Sequence, residues 1–243
     1  MRGTTYTRRL LLILLACGGL CFAENVSLTG RVSFVSDGKD GKPRDADNVV
    51  LWLSPVGMAV PSKPESAGQR PRLVQRNKSF DPHVLIVPVG SVVEFPNHDP
   101  FFHNVFSLFE GKRFDLGLYE AGSTREVRFD KPGISYIFCN IHAQMSAVVI
   151  ALDTPYYTVS NQQGEIVVAD VPPGRYFLHV WYETATAEQL KALTREITVS
   201  EDASTLGVLR LTQVPVPTAH KNKYGRDYEP AAPLDSPGYP QQP

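Results

Sequence analysis

Cysteine is nearly absent from this chain: it has three among 243 residues, at positions 17, 21 and 139. A framework of disulfides is excluded by that count, and so is a structural zinc site built from paired cysteines. An excess of charge of one sign is missing as well, since 24 Lys and Arg stand against 25 Asp and Glu for a net charge of -1. Nothing in that balance favours nucleic acid or a membrane surface as a partner, and neither is expected. Long apolar runs are confined to the first residues, where Arg2, Arg8 and Arg9 precede the stretch from Leu10 to Phe22. At about 13 residues this stretch is shorter than the roughly 20 that a membrane-crossing helix needs. With Ala23 before Glu24 it reads as a cleaved signal peptide over residues 1–23, placing the mature protein in the periplasm or outside the cell. Leu14-Leu15-Ala16-Cys17 also reads as a lipoprotein processing site, and membrane attachment is expected only if Cys17 is lipidated.

Removal of residues 1–23 takes Cys17 and Cys21 with it and leaves Cys139 as the one thiol of a protein sent to a disulfide-forming compartment. An unpaired thiol there is either buried and inert or held by a metal. Its neighbours decide the expectation. Cys139, His142 and Met145 follow one another as C-x2-H-x2-M at the end of an apolar run, and His103 lies in another such run upstream. Two imidazoles, one thiolate and one thioether form the donor set of a mononuclear type 1 copper site, which must suit both Cu(II) and Cu(I). Zinc would also accept imidazole and thiolate, so Met145 is the discriminating residue. His98 is four residues before His103, but it sits among Pro96, Asn97, Asp99 and Pro100, a turn context, and is expected to be exposed and not a ligand.

The rest of the chain is read as all-β, because short segments rich in Val, Ile, Phe, Tyr and Thr are broken repeatedly by Gly, Pro, Asn and Asp. Strands are expected over 27–35, 48–53, 84–88, 91–95, 103–108, 113–118, 124–129, 134–139 and 147–152. One short helix against a sheet is expected where Thr186-x-x-Gln189 spells a capping box ahead of Leu190 and Leu193. The expected division is 24–55 and 154–212 as two parts of one sandwich, 56–72 as a linker, 73–153 as a self-sufficient sandwich, and 213–243 as a disordered Pro-rich tail. The Cys139 strand end and the short loop after it can aim three side chains at one point, with His103 brought alongside by the sandwich.

Two resemblances bear on this reading. Gly30-Arg31-Val32 early on, with Asn161-Gln162-Gln163-Gly164-Glu165-Ile166 and Val171-Pro172-Pro173-Gly174-Arg175-Tyr176 late, resembles the carboxypeptidase-regulatory or transthyretin-like β-sandwich. Those elements fall in that family's order only if the flanks are joined, which implies that the middle domain is inserted; the alternative is an N-terminal extension beside an independent C-terminal sandwich. Phe95-Pro96-Asn97-His98-Asp99, then His103-Asn104-Val105-Phe106-Ser107, then Phe138 through Met145 resemble the cupredoxins, above all the plastocyanin- and amicyanin-like domains. That resemblance covers about 80 residues and implies a Greek-key sandwich. It implies His103, Cys139 and His142 as equatorial ligands, Met145 as the axial one, and Asn104 as a brace that ties its strand to the ligand loop and hydrogen-bonds near the thiolate. It also makes His142 the solvent-facing ligand, with a redox partner docking on a rim that includes Ile141 and Ala143. Phe101, Phe102, Phe106 and Phe138 are expected to close the site from water.

The function expected is that of an electron carrier and not an enzyme, with one copper ion as its cofactor. A copper-binding, storage or adhesion module is the competing class. An oxidase or nitrite reductase would need further copper sites, whereas only His83, His98, His179 and His220 remain, widely scattered.

Overall fold

In the computed structural model, residues 24–35, 46–59, 70–108, 111–212 and 220–228 are described. The expected signal peptide, the middle of the expected linker, and positions 213–219 and 229–243 of the expected tail lie outside them.

Strands dominate. In chain order they are β1 (Val26–Phe34), β2 (Val50–Pro55), β3 (Val74–Arg76), β4 (Ser79–Asp81), β5 (Val84–Pro88), β6 (Val92–Pro96), β7 (His103–Ser107) and β8 (Phe114–Tyr119). They continue as β9 (Thr124–Arg128), β10 (Gly133–Cys139), β11 (Ser146–Leu152), β12 (Tyr157–Val159), β13 (Glu165–Val171) and β14 (Gly174–Trp181), then helix α1 (Ala187–Leu193), β15 (Arg195–Val199) and β16 (Thr205–Leu211). The all-β expectation holds, and α1 starts where its capping box predicts. The Thr186 hydroxyl accepts from the Gln189 N–H, and the Gln189 side chain accepts from the Thr186 N–H.

The sheets are stacked in layers. β13-β1-β16 forms one sheet and β12-β2-β14-β15 the next, followed by β5-β11-β10-β7-β8 and finally the pairs β6-β9 and β3-β4. Among the described residues, β1 and β2, which precede the middle strands in sequence, thus pair with strands that follow the middle strands: β1 with β13 and β16, β2 with β12 and β14. The period-2 alternation of side chains sorts each strand into the two cores it separates. Leu51 and Leu53 of β2 join Leu28, Ile166, Tyr176 and Leu178 in the first core, while Val50 and Trp52 face the other way. Val148, Ile150 and Leu152 of β11 meet Val50, Trp52 and Trp181 in the second core, while Ala147, Val149 and Ala151 turn to a third with Phe95, Val105, Ile137 and Cys139. Because both faces of β11 are covered, the strand reads as the unbroken apolar run Ala147 to Leu152.

The stretch 73–83 held no strand in the sequence reading, yet it forms the hairpin β3-β4. Its turn residues Asn77 and Lys78 both have φ of 56°, the paired left-handed conformation of a tight hairpin. Arg72, at the end of the expected linker, is bridged to Glu94 by backbone pairing and a 3.2 Å ion pair.

Candidate metal centre

The site lies where β7, β10 and the loop from Asn140 to Met145 meet. In the antiparallel pairing of β7 and β10, Cys139 stands opposite Val105, and His103 lies two residues from Val105 on the same face, toward the third core. His103 and Cys139 are both fully buried. The loop is closed by its own backbone: Met145 N–H donates to the His142 carbonyl and Cys139 N–H to the Met145 carbonyl, each at 3.1 Å. Met145 is buried in the same apolar cluster as Cys139.

His103 Nδ1 and His142 Nδ1 each stand 3.5 Å from Cys139 Sγ. The three donor atoms lie within 4.8 Å of one another and can hold a metal ion. A separation of this size is what two donors each about 2.0–2.3 Å from a shared ion would show. The Phe101 ring covers both imidazoles, with centroids 5.3 Å from His103 and 5.6 Å from His142.

Electrostatics favour the ligating forms of Cys139 and His142. Burial, the largest influence on Cys139, pushes its thiol up, but the His103 imidazole and the backbone N–H groups of Asn104, Ile141 and His142 outweigh it, and the thiol stands below its ordinary value. A thiolate is the form a metal binds. Burial, then the charges of His103 and Lys78, holds His142 below its usual value and so keeps it neutral. Burial pushes His103 down most strongly, but hydrogen bonds to Cys139 and Asp99 outweigh it, and in the metal-free site this imidazole stands above its ordinary value.

Asp99 was read only as a turn residue in the sequence. Its carboxylate accepts the backbone N–H groups of Asn77 at 2.6 Å and Lys78 at 3.0 Å, and its Oδ2 lies 2.9 Å from His103 Nε2. A carboxylate only accepts, so Nε2 carries a proton, which leaves Nδ1 as the nitrogen that faces Cys139 and would ligate a metal ion. Asn97 holds Asp99 in place through an Oδ1 that accepts the Asp99 N–H at 3.0 Å. The signal available in the sequence was the spacing Asp99-x3-His103 behind an Asn able to form that local turn.

Asn104 braces the site mainly through its backbone. Its carbonyl accepts the Asn140 N–H at 2.8 Å, which ties β7 to the ligand loop, and its own N–H is directed at the thiolate. Its side chain turns instead to β8, donating to Asp115 Oδ1 at 2.6 Å and the Gly117 carbonyl at 3.0 Å. Phe102 departs from its expected burial: it is 52% exposed. Phe106 and Phe138 pack on each other at 5.8 Å on the face of β7 and β10 opposite Cys139. His98 is exposed, 3.1 Å from Arg76 and outside the group that could hold a metal ion.

No protein-family model matches the chain, and no curated protein matches it. Solved structures do match part of it. The purple cupredoxin from Nitrosopumilus maritimus is 23% identical over 34% of this chain and 99% of that one, with a TM-score of 0.32. The copper-containing nitrite reductase from Thermus scotoductus SA-01 is 27% identical over 41% of this chain and 25% of its own, at 0.34. An oxidized mutant of amicyanin is 18% identical over 36% of this chain and 87% of that one, at 0.33.

Proposed function

We propose that the chain is an exported copper protein of the cupredoxin type that carries single electrons and turns over no substrate. The observation behind this reading is the pair of imidazole nitrogens 3.5 Å from one buried thiol, with the thiol already biased toward thiolate. His103, Cys139 and His142 would hold the ion, with Met145 as a weak fourth donor. Copper bound by such a set supplies a one-electron couple between Cu(II) and Cu(I).

The protein's part is to keep those residues still and dry. Asp99 fixes the His103 tautomer, and the Phe101 ring packs against both imidazoles. Four backbone bonds fix the loop: Met145 to His142, Cys139 to Met145, Asn140 to Asn104, and the Asn104 N–H to the thiolate. A site that does not rearrange when its charge changes lowers the barrier to electron transfer. His142 is half-buried and next in sequence to exposed Ile141, and the Phe101 ring that packs against it is next in sequence to exposed Phe102; this rim is where a redox partner would dock.

The other histidines are engaged elsewhere: His83 with Glu183, His98 with Arg76, His179 stacked on Trp52 and His220 packed against Phe138. That arrangement favours a carrier over a multicopper enzyme. The test is addition of Cu(II) to the copper-free protein followed by voltammetry. An intense visible band with a reversible one-electron wave supports the carrier; tight binding without a reversible wave supports storage instead.

A further inference from the structure

Residues 220–228 fall within the expected disordered tail, yet they are built onto the ligand loop. His220 N–H donates to the Ala143 carbonyl at 2.9 Å and Lys223 N–H to Asn140 Oδ1 at 2.8 Å. Tyr228 Oη–H donates to the carbonyl of Cys139 itself at 2.6 Å. Lys223 Nζ lies 2.8 Å from Asp115 Oδ2, and Asp115 in turn receives the Asn104 side chain. Three residues of the loop, Cys139, Asn140 and Ala143, are therefore each bonded to this one segment.

The segment has its own internal order. Asn222 Oδ1 accepts from the N–H groups of Tyr224 and Arg226 at 3.0 Å each, Asn222 N–H donates to the Arg226 carbonyl at 2.8 Å, and Gly225 takes a φ of 75° in the turn. The His220 ring packs on Phe138 in a tilted contact at 4.4 Å, and the Tyr228 ring meets His220 edge-on at 5.4 Å. Phe106 and Phe138 are covered in this way on the side that the sheets leave open. Burial holds the Tyr228 phenol well above its ordinary value, so the hydroxyl remains a donor at any physiological pH.

We propose that residues 220–228 form a clasp that positions the ligand loop, with Tyr228 as its positioning residue acting through the Cys139 carbonyl. The significance of the clasp for electron transfer rests on the copper reading; the clasp itself does not. It follows β16 in the sequence, so the part of the chain after the middle strands supplies the residues that hold the loop. The Tyr228 hydroxyl dipole, directed at the backbone of the ligand that carries the thiolate, favours the more electron-rich oxidation state.

The test uses Tyr228→Phe in the full chain, with Tyr224→Phe as control because Tyr224 is 71% exposed. Hydrogen exchange of the amides at 140–145 is measured on the copper-free protein. Loss of one hydrogen bond should speed exchange there by about five-fold in Tyr228→Phe, and leave Tyr224→Phe unchanged. In the copper-loaded protein the same variant should shift the Cu(II)/Cu(I) ratio at fixed ambient potential toward Cu(II). Unchanged exchange in Tyr228→Phe would overturn the clasp, and the point variant decides this even if a chain shortened after Thr212 does not accumulate. Faster exchange in a protein that binds no copper would uphold the clasp and sink the copper reading. Unchanged exchange beside a normal copper spectrum would do the reverse.

Discussion

Asp99 Oδ2 stands 2.9 Å from His103 Nε2, and both residues are buried. The contact joins the tip of the β3-β4 hairpin, whose N–H groups hold the same carboxylate, to the strand that presents the imidazole. Asp99 thus sets which nitrogen of His103 faces Cys139.

Asp99→Asn should leave the fold intact and weaken metal binding about 10- to 100-fold, the usual cost of losing a carboxylate behind a ligating histidine. Competition titration against a chelator measures it. Affinity equal to that of the unaltered protein would show that His103 is oriented by packing alone.

The His83–Glu183 pair should make stability depend on pH. His83 Nε2 lies 2.6 Å from Glu183 Oε2, across the boundary between the two halves of the stack. The hydrogen bond to Glu183 is the largest cause of a His83 pKa raised above 6.5, burial opposing it. A raised folded pKa means that the stabilisation is complete below the unfolded value of 6.5 and is lost as pH rises through the folded value. Glu183→Gln should accordingly lower Tm relative to the unaltered protein near pH 6 and converge with it in alkali. A Tm gap that widens as pH rises would contradict the assignment.

Ile150, on β11, is fully buried against Val50, Trp52 and Trp181. Ile150→Ala should cost about 2–5 kcal/mol by the cavity it leaves. The chain's two tryptophans, Trp52 and Trp181, both lie in this cluster, so their fluorescence reports it directly. Urea unfolding followed by fluorescence and by far-UV circular dichroism should give one coincident transition. Two separated transitions would show that the halves are not coupled through this core.

The residues that carry a period were legible in the sequence. β5 falls on the expected 84–88, and α1 follows Thr186 as its cap predicts. Cys139, His142 and His103 come together because a strand end and a tight loop give few ways to arrange them. The hairpin β3-β4 was not legible, since three-residue strands show no alternation and Lys78 is an uncommon residue for a positive φ. Tyr228 was hidden for a different reason. Its segment is polar and embedded in Pro-rich sequence, and its order comes from bonds to a loop more than 80 residues earlier. Such a partner leaves no local trace.

Addition of Cu(II) to the reduced, copper-free protein tests the central claim most directly. The account predicts an intense visible band that persists in His98→Ala and is abolished in Cys139→Ser. A colourless or pale-blue complex, or a band that survives in Cys139→Ser, would contradict it.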